Sequence, residues 1–116
     1  MVDLVGTCPK GFWHEWIVEG DAAGDPETGE TWGWFTRHSF LSLIVPGDRF
    51  YVVCHGKLRG FAPVVGIERG THGGAILRRG GAVACTIADP IPGFRGLRKR
   101  WWDRAREVPF PEWKTP

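Results

Sequence analysis

The sequence contains no apolar run approaching the roughly 20 residues that a membrane-crossing helix needs; the longest, around Phe50 to Cys54, has the length of a strand. A helical membrane span is therefore excluded. Cysteine is scarce and badly spaced for metal or disulfide chemistry. Cys8, Cys54 and Cys85 are odd in number and include no CxxC pair, which argues against a disulfide framework and a structural zinc site. The four histidines, at 14, 38, 55 and 72, lack the i, i+4 spacing that puts two ligands on one helix face. No metal and no cofactor is expected. There is no phosphate-binding loop or dinucleotide fingerprint, and the glycines at 70 to 74 precede no helix. The opening MVDLVGTCPKG lacks a basic stretch followed by an apolar one, which predicts no signal peptide and a cytoplasmic protein.

What is present fits one hydrophobic core. With 116 residues, 42% apolar and 24% charged, the chain reads as a single globular domain over 1–116. Seventeen glycines signal many tight turns, as a domain of short strands requires. Seven tryptophans are more than a small core readily packs, so some are expected at the surface or in a cleft. Charge is segregated: before Arg37 seven acids face one lysine, and from Arg37 onward fourteen bases face six acids. The two parts should attract each other or present faces of opposite sign.

The clearest local signal starts at Pro46. Pro-Gly-Asp is turn chemistry, RFYVVCH reads as a buried strand, Gly56-Lys57 as a turn, and LRGFAPVVGIE as the returning strand of a hairpin from Arg49 to Glu68. Pro63 cannot donate to a ladder, and with Gly60 and Gly66 it predicts bulges and bending of the kind a closing barrel needs. TWGWFTR alternates as a strand, with Trp32, Trp34 and Thr36 on one side and Gly33, Phe35 and Arg37 on the other. AILRR and GAVACTI read as two more strands. FWHEWIVE is a short strand or helical turn, and GDAAGDPETGE an exposed loop. The apolar residues Phe94, Leu97, Trp101 and Ala105, spaced 3, 4 and 4, predict a short basic helix at the C-terminal end. The tail after it is expected to drape over the body, anchored by Phe110 and Trp113. The fold class is thus mainly β with short helices.

The order of an early aromatic segment, PGDRFYVV, a glycine turn, LRGFAPVVGIE and a terminal strand resembles the PUA-like superfamily, which includes ASCH and EVE domains; the resemblance covers roughly residues 30 to 90. It implies a small pseudo-barrel with flanking helices, and an RNA- or DNA-binding role in which a flipped or modified base sits in a pocket. The ASCH group carries a GxKxxExR motif; the nearest stretch here, Gly33 to Arg37, lacks its lysine and glutamate.

Two constellations could carry such a role. A base out of its stack needs flat rings and polar edges, and Trp13, Trp16, Trp32, Trp34 and Phe35 with Arg37 could line a base cleft, or else fill the core. Phosphates need cations, which Lys57, Arg59, Arg95, Arg98, Lys99, Arg100 and Arg104, interleaved with Trp102, could supply, unless the arginines instead pair with the acidic loop at 19 to 30. Acid/base and nucleophile types exist in Lys57, Tyr51, Thr86 and Glu68, but no spaced triad does, and Cys54 and His55 point to opposite faces of a strand. No catalytic residue is assigned. The readings are a nucleic-acid-binding module, an ASCH-type hydrolase of RNA or a modified nucleoside, and a protein-interaction module.

Overall fold

The computed structural model describes residues 2–13, 32–37, 41–78 and 83–115. Its centre is the expected hairpin, β3 (Arg49–Cys54) and β4 (Lys57–Gly70), paired antiparallel through a two-residue turn. Both turn residues, His55 and Gly56, have positive φ, the type I′ geometry whose twist suits a hairpin. Ahead of it, the Asp48 carboxylate accepts the N–H groups of Val45 and Val2, closing the Pro46-Gly47 turn onto the start of the chain.

β4 is too long for one partner and bends between two. Its first half pairs with β3 and its second with β5 (Gly73–Arg78), and Pro63 sits where one ladder hands over to the other. Register shifts mark bulges opposite Val52/Val53 and between Val64 and Gly66, so the bending expected near Gly60 and Gly66 is present. With β1 (Leu4–Thr7), β2 (Trp32–Thr36) and β7 (Leu97–Lys99), the strands form a six-stranded sheet ordered β2-β5-β4-β3-β1-β7. It curls into a half-barrel. A second, two-stranded sheet pairs β6 (Cys85–Thr86) with β8 (Val108–Pro109). β6 is shorter than the strand read from GAVACTI; before it, Val83 makes only an isolated bridge to Phe61.

Period-2 alternation divides the core between the two faces of the sheet. Phe50, Val52 and Cys54 of β3 point into one cluster with Leu4, Leu41, Ile76 and Trp113, while Tyr51 and Val53 point into the other with Val5, Ile87 and Trp102. Trp34 packs across the first face against Phe50, ring centroids 5.0 Å apart. It needs Gly6 beside it: a Cβ there would lie 2.8 Å from Cζ2 of Trp34. The contact brings β2, at one edge, onto β1, next to the other edge.

The basic helix expected near the C-terminal end is not formed. Residues 97–99 are strand β7, paired antiparallel with β1, and Arg104–Arg106 make a single 3-10 turn capped by Asp103, whose carboxylate accepts the Ala105 N–H. Gly96 takes φ 72°, which interrupts any helix, and β7 satisfies the backbone edge of β1 that a helix would leave bare. The apolar stripe is dispersed accordingly: Leu97 enters one core face, Phe94 packs beside the other, and Trp101 is 52% exposed. The tail does drape over the body, with Phe110 and Trp113 buried. No described helix is long and apolar enough to cross a membrane.

Candidate nucleic-acid interface

The two edge strands of the curled sheet face each other across an open cleft. Phe35, Thr36 and Arg37 at the end of β2 form one wall, and Arg95, Gly96 and Leu97 leading into β7 form the other, around a cavity of about 650 Å³. His72, from the turn between β4 and β5, closes one end and is shared with Phe35 and Thr36 by an adjoining hollow of about 260 Å³. Alternation along β2 sets the orientation: Trp34 turns inward, so Phe35 and Arg37 turn out, and the Phe35 ring is 82% exposed. Gly73 lets this wall approach, since a Cβ there would stand 2.2 Å from the Thr36 carbonyl oxygen.

The lining carries an exposed aromatic ring, two guanidinium groups and an imidazole, and, among the described residues, no carboxylate. Among the described residues, no ion pair engages Arg37, Arg95, Arg98 or Lys99. Arg98 instead lies over the Phe94 ring at 4.3 Å. The concavity is therefore suited chemically to a flat π-system bearing negative charge.

Other residues singled out by sequence are placed differently. Trp13 is 3% exposed and its indole N–H donates to the Lys114 carbonyl; Trp102 is 4% exposed; neither ring can receive a base. Trp34 lies against the core, Trp16 falls outside the described residues, and for Trp32 only the backbone is described, in β2. Arg59 cannot serve phosphate. As the extra residue of the β4 bulge it is turned inside, 1% exposed, where it donates to the carbonyls of Cys54, Trp113 and Thr115 and lies 5.3 Å from the Trp13 ring. Burial lowers its pKa, against the opposing influence of Cys54. Arg100 and Arg104 both engage the buried carboxylate of Asp3, at 3.0 and 2.7 Å. Lys57 sits at the hairpin beside Phe110, lining a separate hollow with Thr86 and Asp89. The acidic loop at 19 to 30 lies outside the described residues; the acids seen with the arginines are Asp3, Asp89 and Glu107.

A second polar cluster has almost no signature in the sequence. Glu107 accepts from the Tyr51 hydroxyl at 2.7 Å and the Trp102 indole at 2.8 Å through Oε2, and from Arg49 at 3.2 Å through Oε1. Its only signal is one carboxylate among arginines. Arg49, two residues away, also donates to the Tyr51 hydroxyl, but Glu107 is far away in sequence, so no local pattern announces the cluster. Burial, helped by the Glu107 charge, pushes the neighbouring Cys85 thiol up to about 12 and raises the Tyr51 hydroxyl well above its usual range. Of the catalytic types, Lys57 and Thr86 share a hollow, but Tyr51 is sealed in this network, and Glu68 is exposed on the far half of β4.

These shifts set both ends of the pH range. At Asp3, burial works to raise the pKa, but the Arg49 N–H and the Arg104 and Arg100 guanidiniums outweigh it and leave it below the ordinary value. Its stabilising contribution is present above about pH 4 and is lost as pH falls through the native pKa. Cys85 acts in the opposite sense. Its thiol ionises in the unfolded chain from about pH 9 while the native thiol stays protonated to about 12, so stability falls as pH rises across that interval. Urea unfolding at successive pH values should show the midpoint declining above about pH 9 in the wild type. In Cys85→Ala the onset should move to about pH 10, where the buried Tyr51 takes over. An unchanged onset contradicts the Cys85 assignment.

Comparison with protein-family models, curated proteins and solved structures finds no match to this chain.

Proposed function

We propose that this protein is a nucleic-acid-binding module that holds an unpaired base in the cleft between its sheet edges. Phe35 supplies the ring on which the base stacks, and Arg37 and Arg95, with His72, meet the flanking phosphates. The observation that carries this reading is Phe35 itself: an aromatic side chain 82% exposed, facing a cavity that is lined, among the described residues, by two arginines and no acid. A core residue would not be left so open, and a stacked base would cover it at a gain of roughly 1–3 kcal/mol. The sequence resemblance to PUA-like domains belongs to the same proposal, as do a single domain over the whole chain and a cytoplasmic site of action. The curled half-barrel agrees with a pseudo-barrel, and the missing lysine and glutamate of the ASCH motif favour binding over hydrolysis.

The test is fluorescence anisotropy of labelled U6, dT6 and a matched duplex at two salt concentrations. Single strands should bind at low salt, more tightly than the duplex. Phe35→Ala, at an exposed position, should weaken them by about tenfold while leaving the melting temperature within a few degrees. Equal binding by wild type and Phe35→Ala removes the cleft from consideration; binding of none of the three probes removes the function.

A further inference from the structure

The cleft is not the end of the basic, aromatic surface. Beyond Leu97 the chain continues along β7 through Arg98 and Lys99, both exposed, and the Arg100 N–H still bonds to the Asp3 carbonyl, so the backbone stays extended to the threshold of Trp101. Trp101 is 52% exposed, yet it is not loose. Its ring meets Trp102 edge-on at 5.0 Å and Phe94 at 6.2 Å, and the Arg98 guanidinium lies over the Phe94 ring. Trp102 is fixed in turn by its bond to Glu107. A large ring held this way loses little conformational freedom when a ligand covers it.

From the exposed, firmly held Trp101 ring just past the cleft wall we infer that the ligand is a single strand that crosses β7, with one base in the Phe35 cleft and another stacked on Trp101. The inference rests on the cleft reading. Leu97, in the cleft wall, and Trp101 are four residues apart in extended chain, about 13 Å. A base held beside Leu97 in the cleft does not reach Trp101, while a strand at the stacked spacing of about 3.4 Å per nucleotide covers the Leu97–Trp101 interval in about four steps. Arg98, on the Phe94 side of β7, occupies the interval, where the strand's phosphates pass. The chemistry of the strip selects single strands, because a duplex keeps its bases stacked on each other and offers neither ring a face.

The distinguishing variable is ligand length. Labelled dT2 and dT6 are titrated by anisotropy into wild type, Trp101→Ala, Trp101→Phe and Phe35→Ala, each first checked for an unchanged circular dichroism spectrum. Trp101→Ala should weaken dT6 by about tenfold or more and leave dT2 within about twofold, and Trp101→Phe should recover most of the loss. Phe35→Ala should weaken both probes. The inference is overturned if Trp101→Ala binds dT6 like the wild type, or weakens dT2 and dT6 equally; in either case the effect of Phe35→Ala still decides separately whether the cleft takes a base. If the wild type binds neither probe, the cleft reading falls and this inference with it.

Discussion

Replacing Glu107 by Ala is expected to lower the unfolding free energy by about 2–5 kcal/mol, because two buried donors lose the acceptor they share. The Tyr51 hydroxyl and the Trp102 indole N–H both end on Oε2 of Glu107, and both residues are buried, at 0% and 4% exposure. The third donor matters less. The Arg49 side chain is 30% exposed, so water replaces part of what Glu107 gives it, and its stacking on Phe61 at 4.1 Å survives. For a chain of this size the loss corresponds to a melting temperature lower by about 10 °C or more. Glu107→Gln keeps an acceptor oxygen and should cost clearly less than Glu107→Ala. Equal losses in the two variants would mean that the carboxylate charge, and not the acceptor geometry, holds the C-terminal segment against β3.

The second large effect is on binding. Reversing two charges in Arg37→Glu/Arg95→Glu should reduce affinity for a labelled single strand at least roughly tenfold at low salt, and flatten the salt dependence. Each phosphate contact to a single strand contributes about 0.7 to the slope of log affinity against log salt, so losing two contacts should lower that slope by about 1.4. Stability should hardly change, since both side chains are exposed and, among the described residues, no ion pair involves either. The matched control is Lys57→Glu, at the hairpin and outside the cleft lining. A variant that keeps the wild-type slope would show that these arginines do not meet phosphate.

The parts of this molecule legible in the sequence are those decided by neighbours along the chain. Alternation in RFYVVC, a turn glycine at Gly56, and Pro63 with Gly60 and Gly66 each act within a few residues, and the hairpin and its bends follow from them, although the turn is His55-Gly56 and not Gly56-Lys57, because Lys57 already pairs with Cys54. The basic segment at 94–106 shows where local pattern loses. Its 3, 4, 4 spacing is a genuine helical signal, but β1 had an unpaired edge, and a backbone ladder from β7 outweighs a short amphipathic stripe interrupted by Gly96. Within the candidate site, the pairing of Phe35 with Arg37 on one face was legible from period 2. Their proximity to Arg95 was not, because it depends on closure of a sheet that joins residues nearly sixty positions apart. The fate of the tryptophans was equally nonlocal: the buried Trp13 and Trp102 found acceptors in the Lys114 carbonyl and Glu107, whereas Trp101, beside Trp102 in sequence, stayed at the surface. Arg59 departs from its expected surface position for a related reason, since a bulge redirects a side chain without altering the pattern that precedes it.

Titrating unlabelled dT6 into the isotope-labelled protein and following its amide resonances asks directly where the strand lies. Shifts should concentrate at residues 35–37, 72 and 95–101, tracing the two sheet edges and the path to Trp101. A contiguous set of shifts elsewhere, such as the hollow of Lys57, Thr86 and Asp89, with residues 35–37 and 95–97 unmoved, would contradict it.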